Sequence, residues 1–262
     1  MAFDDSGNAI AVWRQAWTSA NGGRYGIRSS WYEKSVGWGE DVTVYADTDN
    51  MNVSANGPNQ VAVDSAGNAW VVWTLYDWSW NHTGVQASRH IGGGQWGAID
   101  TMAIGSASGF GPSVSVDSAG NAIVVWHQSN IEGLYANRHE VGGVWGAPEL
   151  IETVAREGYA RNPKIAFAPD DSALAVWHSN GLPGISFNRY TLTEGWGTSG
   201  TVIEVVPPDR MKVSSSYSMM METLSQSGIG PTVLCMPATM KMGSVGARST
   251  LSKRRWRTTP SR

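Results

Sequence analysis

Through the first 204 residues, apolar positions fall into two short patterns that take turns. One alternates, as in Gln60-Val61-Ala62-Val63-Asp64 and Ser113-Val114-Ser115-Val116-Asp117; the other is a continuous run, as in Ala122-Ile123-Val124-Val125-Trp126. Alternation predicts a strand with one buried face, and a short continuous run predicts a strand buried on both faces. Between them stands Asp-Ser-Ala-Gly-Asn, at 64–68 and 117–121. Its Asp can accept backbone N–H bonds across an Asx-type turn, and its Gly or Asn can take positive φ, so the pair reads as a β-hairpin. Pro58, Pro112 and Pro163 come two or three positions before the first Val or Ile, which predicts strands that start after them.

The hairpin is written several times. Gly7–Trp13, Gly67–Trp73 and Gly120–Trp126 are near copies and Asp171–Trp177 a worn one, so Trp recurs at 13, 73, 126 and 177, in steps of 60, 53 and 51 residues. A third short strand follows in each unit: Ile27–Trp31, Val85–Arg89, Leu134–Arg138 and Ile185–Arg189. Seven residues on comes Trp-Gly, at Trp38, Trp96, Trp145 and Trp196, and then a fourth strand such as 148–152 or 201–204. Four short strands per roughly 50 residues, without helical periodicity, predict an all-β fold: a β-propeller of four-stranded antiparallel blades. The units run approximately 1–54, 55–108, 109–160 and 161–204, about four blades in an incomplete array. Met1-Ala2-Phe3-Asp4 aligns on Val61-Ala62-Val63-Asp64, so the chain is expected to open inside a repeat.

The Gly-Asn-Ala-x-x-Val-Trp, Ala-x-Arg and Gly-Trp-Gly pattern resembles the tandem blades of large bacterial surface or secreted β-propeller proteins. That resemblance covers residues 1–204 and implies a secreted or cell-surface parent protein. The hairpin is also faintly similar to the Asp box of sialidase-type propellers, although here Gly lies three after Asp and Trp six after Gly. An Asp box lies away from the sialidase active site, so this likeness implies no catalytic residue.

Charge divides the chain. Residues 1–204 hold 20 acidic and 10 basic side chains, net −10; residues 205–262 hold 2 and 9, net +7. Seven of ten Met and the single Cys235 fall after 204, whereas 13 of 14 Trp fall before it. Reading each codon's last base with the next codon's first two turns Met219-Met220-Met221-Glu222 into Asp-Asp-Gly and then Asn or Asp, the repeat's own turn. The same frame permits a further Ala-Ile-Ala-Val-Trp and Gly-Trp-Gly at the right spacings. Residues 205–262 are therefore expected to be a non-native tail, the next blade read out of frame. A basic extension with Arg254, Arg255 and Arg257 as an acid-binding patch is the competing reading.

No run of 18 apolar residues is long enough to span a bilayer, and the N-terminus lacks the regions of a signal peptide. One Cys allows no internal disulfide. No nucleic-acid partner, membrane insertion, cofactor, metal site or catalytic residue is expected. Asp4, Asp64 and Asp117 offer one carboxylate per turn, short of a calcium shell. His127 and His178 share a repeat position with Arg14 and Thr74, a ring that could line one mouth of a propeller. The Trp at 38, 96, 145 and 196 can stack on sugar rings, but fixed spacing in every unit favours wedging between blades.

What varies between units is more informative. The connection after the second strand holds Trp17 in unit one and Tyr76, Asp77, Trp78, Ser79, Trp80, Asn81 and His82 in unit two. Aromatics interleaved with Asp, Asn and His on a long loop suit a carbohydrate or protein contact, so Trp17, Tyr76, Asp77, Trp78, Trp80 and His82 are the candidate ligand-binding residues. The expected function is a non-catalytic ligand-binding or adhesive module with a glycan or protein ligand. The alternatives are a sialidase-like glycoside hydrolase fragment, in which Arg89, Arg138 and Arg189 recur in phase, and a truncated product without function.

Overall fold

The computed structural model describes residues 1–202, apart from 20–21, 47–50, 54–59, 78–81, 93–94, 103–108, 129–132, 153–159 and 180–184. Four antiparallel sheets follow one another along the chain, with no helix among the described residues. The first holds β1 (Ala2–Phe3), β2 (Ala9–Ser19), β3 (Gly22–Glu33), β4 (Gly37–Trp38) and β5 (Val42–Ala46). The second holds β6 (Met51–Val53), β7 (Gln60–Val63), β8 (Ala69–Asp77), β9 (His82–His90) and β10 (Trp96–Thr101). The third holds β11 (Gly109–Val116), β12 (Ala122–Gln128), β13 (Gly133–His139) and β14 (Glu149–Leu150). The fourth holds β15 (Ala160–Phe167), β16 (Ala173–Ser179), β17 (Ile185–Thr191), β18 (Gly195–Trp196) and β19 (Gly200–Val202). Each is a meander in which a first strand pairs with a second, the second with a third, and the third with a short, interrupted fourth. These are the expected propeller blades.

The turn chemistry is the one the repeat announces. Asp64 Oδ1 accepts the backbone N–H of Ala66 at 3.0 Å and of Asn68 at 2.8 Å, while its Oδ2 accepts from Asn68 Nδ2 at 2.8 Å. Asp4 and Asp117 make the same three bonds. Gly120 stands at φ 86, and a Cβ there would come within 2.8 Å of Asp64 Oδ2 on the neighbouring blade, so both conformation and space require glycine. The repeated Asn has a second task. Its Oδ1 accepts a backbone N–H from the turn between third and fourth strands: Lys34 for Asn8, Gly92 for Asn68 and Val141 for Asn121. One side chain thus ties both turns at that end of the blade.

Pro112 and Pro163 do not mark strand starts, and Pro58 lies outside the described residues. β11 and β15 run through Pro112 and Pro163, each at a bulge where the register shifts, after Gly111 at φ 64 and Asn162 at φ 50. A bulge leaves a position without a ladder bond, which is where a residue lacking N–H can sit inside a strand. In the second blade, Met51–Val53 pairs with the distal part of β8, ahead of β7.

Blades pack face on face, and the second strands show why a continuous apolar run was needed. Val71 and Trp73 of β8 join Ile27 and Val44 of the first blade; Trp70 and Val72 join Ala122, Val124 and Trp126 of the third. Ile123 and Val125 of β12 then meet Ala173, Ala175 and Trp177 of β16. The repeat Trp always faces the preceding blade, and Trp73, Trp126 and Trp177 are fully buried. Each indole buries on the order of 200 Å², worth roughly 5 kcal/mol at about 25 cal/mol per Å² before entropy is subtracted. Trp13 has the same position on the first blade, on the face turned away from the second, and is only part-buried.

Candidate functional site

The candidate loop of the second blade is described only at its roots. Tyr76 and Asp77 end β8 and His82 begins β9, with Tyr76 opposite His82 and Asp77 opposite Met51. Trp78 and Trp80 lie outside the described residues. Trp17 falls within β2, opposite Arg24. Its expected place in a loop is corrected: the first-blade hairpin keeps pairing as far as Ser19 and Gly22.

The position shared by Arg14, Thr74, His127 and His178 is a packing position where the structure buries it, rather than the lining of a mouth. Thr74 and His127 are buried, and Thr74 Oγ1 accepts the N–H of Gly111 from the third blade at 3.2 Å. Arg14 lies over the Tyr25 ring at 3.5 Å. Thr74 and His127 belong to blade packing because each continues the second strand straight after its buried Trp.

The second Trp series behaves as wedges. Trp96 Nε1 donates to Ser29 Oγ at 2.8 Å and Trp145 Nε1 to Asp100 Oδ2 at 3.1 Å, each reaching back to the preceding blade. The following Gly donates to the carbonyl of a third-strand residue, Gly146 to Arg138 and Gly197 to Arg189, both at 2.9 Å. A polar side chain on the third strand closes the arrangement: Ser30, Ser88 and Asn188 donate to the carbonyls of Gly39, Gly97 and Gly197. Trp38 has no blade behind it among the described residues and is 54% exposed.

At the junction of the second and third blades these wedges frame a cluster with chemistry of its own. Trp70, His139 and Trp145 form an aromatic triangle with centroids 4.7, 4.9 and 5.3 Å apart. Arg89 shares their face, its Cζ 5.6 Å from the Trp70 ring, and Asp100 sits at the outer edge, exposed and holding Trp145. The Arg89 Nε is buried without a hydrogen-bond acceptor, and the guanidinium has no carboxylate partner among the described residues. Arg28, Arg138 and Arg189 by contrast pair with Asp41, Glu140 and Asp170. Burial pushes the His139 imidazole below its ordinary pKa of 6.5; the Arg89 charge adds to that, and Asp100 opposes it. The result is a part-exposed cluster of a guanidinium, an acceptor carboxylate and an indole, flanked by an imidazole whose charged form burial disfavours.

Arg89 and Trp145 stand out in the sequence, whereas Asp100 and His139 do not. Their signal is variation at fixed repeat positions. The residue after the third-strand Arg is His90, His139 or Tyr190, and the fourth-strand position opposite Ala87 or Ala136 is Asp100 or Glu149. Only the packing of one blade on the next shows that these two positions meet across a junction.

Fold and site together define a β-propeller whose variable chemistry lies between blades. No protein-family model matches the sequence, and none of the curated proteins does. Solved structures with similar folds are sialidase-like and lectin-like propellers at low identity. A leech intramolecular trans-sialidase, solved with 2,7-anhydro-Neu5Ac, is 9% identical, with a TM-score of 0.51 over 77% of this chain and 50% of its own. An exo-β-1,3-galactanase from Phanerochaete chrysosporium is 11% identical, with a TM-score of 0.40 over 74% of this chain and 54% of its own. The Aleuria aurantia lectin, a six-bladed propeller, is 15% identical, with a TM-score of 0.37 over 77% and 81%. The chain spans about half the length of the first two.

Proposed function

We propose that the chain is a glycan-binding propeller module, part of a secreted or surface bacterial protein of tandem-blade type. The observation that carries this reading is the meeting of Arg89 and Asp100 from the second blade with His139 and Trp145 from the third. An indole covers the C–H face of a pyranose, a carboxylate accepts from one hydroxyl, and a guanidinium donates to its neighbour. An unpaired cation and an anion at one junction suit a neutral sugar, since either charge alone would favour a charged one.

The second-blade loop is the other proposed contact, through Tyr76, Asp77, Trp78, Trp80 and His82, together with Trp17 of the first blade. Arg89 lies seven residue steps along β9 from His82, about 23 Å at 3.3 Å per step, so the roots of the loop and the Arg89 site lie toward opposite ends of the strand. A glycan array read with Arg89→Ala and with the pair Trp78→Ala, Trp80→Ala separates them. Loss of binding with Arg89→Ala alone assigns the cleft, and loss with the tryptophan pair alone assigns the loop. A folded sample that binds no glycan overturns the reading.

A further inference from the structure

The three junctions differ in what they place at the positions of Arg89 and Asp100. At the first, between blades one and two, the third strand offers Trp31, which packs on His90 at 5.2 Å, and the fourth strand offers Val42. The Trp96 indole N–H is taken up by Ser29, so this junction closes on itself without a charged pair. At the third junction, between blades three and four, charge returns. Arg138 lies on the face of β13 that carries Leu134 and Ala136 into the fourth blade, with its Cζ 5.9 Å from the Tyr190 ring. Glu149 is paired in register with Ala136, so it shares that face, and it is exposed. Tyr190 and Trp196 meet edge to face at 5.5 Å, in the places of His139 and Trp145.

Resting on the glycan-binding reading above, we propose that the junction of the third and fourth blades is a second cleft for neutral hexopyranosides, built on Arg138, Glu149, Tyr190 and Trp196. One chain is then bivalent. The scaffold for the second cleft is firm: Asn188 Nδ2 donates to Ile151 O at 2.8 Å across the junction and to Gly197 O at 2.9 Å within its own blade. Arg138 and Arg89 are alike in burying Nε without an acceptor, so at both junctions any contact with a sugar falls to the terminal nitrogens of a part-exposed guanidinium. One difference bears on affinity. Arg138 pairs with the exposed Glu140, and a sugar hydroxyl has to share that guanidinium, whereas Arg89 carries no such partner. The third-junction cleft is accordingly the weaker of the two. Two sites on one rigid array raise avidity for a surface displaying many copies of the sugar without any new contact.

Fluorine NMR of the fluorotryptophan-labelled chain tests this with methyl glycosides of galactose, mannose, glucose and fucose as probes. The Trp145 and Trp196 signals, assigned through their Trp→Phe variants, are expected to shift on separate isotherms. Arg138→Ala is expected to weaken the Trp196 isotherm by about ten-fold and leave the Trp145 isotherm in place; Arg89→Ala does the reverse. Glu149→Gln, which keeps the shape of the side chain, should weaken the Trp196 isotherm alone, so a folding defect in Arg138→Ala does not end the test. A Trp145 response with an unmoved Trp196 signal overturns the second cleft and leaves the first standing. A Trp196 response with an unmoved Trp145 signal does the opposite, and silence of both in a folded sample overturns both.

Discussion

The indole N–H of Trp96 and the hydroxyl of Ser29 meet at 2.8 Å across the junction of the first two blades, although 67 residues separate them in the chain. The bond satisfies a donor that packing would otherwise leave dry, and it fixes how far the wedge is driven in. Ser29→Ala is expected to destabilise the fold by about 1–3 kcal/mol, the cost of leaving a buried donor unpaired. Trp38→Phe, at the equivalent but exposed position, should change the urea midpoint little. Equal effects of the two substitutions would show that the wedge bond contributes nothing.

The turn of the fourth blade departs from the others. Ala168 replaces the turn Asp, and Asp171 takes the glycine position at φ 57. Its carboxylate accepts from Ser118 N and Oγ on the third blade, both at 3.0 Å. Asp171→Gly frees the backbone but loses those exposed bonds and should be nearly neutral. Asp171→Ala loses the bonds and keeps the left-handed strain, so it should be less stable than the Gly variant by about 1 kcal/mol. Thermal midpoints of the two variants decide this.

His139 gives stability a pH dependence whose sign follows from its burial. Its folded pKa lies below 6.5, so between the two values the unfolded chain binds more protons and stability falls as pH drops. The loss begins near 6.5 and ends once pH passes below the folded pKa. His139→Gln should flatten that part of the curve. Asp170, held below its ordinary 3.8 by hydrogen bonds from Ser172, acts in a separate, more acidic window. Urea midpoints measured from pH 8 to pH 5 in both proteins check the assignment.

A hydrolase reading makes a different demand. Chromogenic glycosides and sialosides are expected to give no turnover. Turnover abolished by substituting Arg89, Arg138 or Arg189 would replace the binding module with a sialidase-like enzyme.

The basic tail is tested by removal. Leu174 on the fourth blade faces away from the third and is part-exposed. A fifth blade would cover it, and the codon pattern proposes that residues 205–262 are that blade read out of frame. Deleting 206–262 should leave the unfolding midpoint nearly unchanged, whereas restoring the frame between codons 204 and 217 should raise it. A lower midpoint on deletion would make the tail a domain in its own right.

Strand order, blade count and turn chemistry were legible in the sequence because they are local. A run such as Ala122–Trp126 has to be buried on both faces, and Asp117 can satisfy its own turn from within five residues. The bulges at Pro112 and Pro163 were not legible, since a proline that ends a strand and one that sits at a bulge differ only in where the partner strand continues. Period 50 thus determined by itself that residues 1–204 are a series of four-stranded blades with Trp-Gly at the same place in each. Which face each Trp takes, and that Arg89 and Asp100 meet His139 and Trp145, was decided by the packing of one blade on the next. Arg89 and Asp100 belong to one repeat and His139 and Trp145 to the next, and only the spacing between stacked sheets brings the two pairs within reach of one ligand.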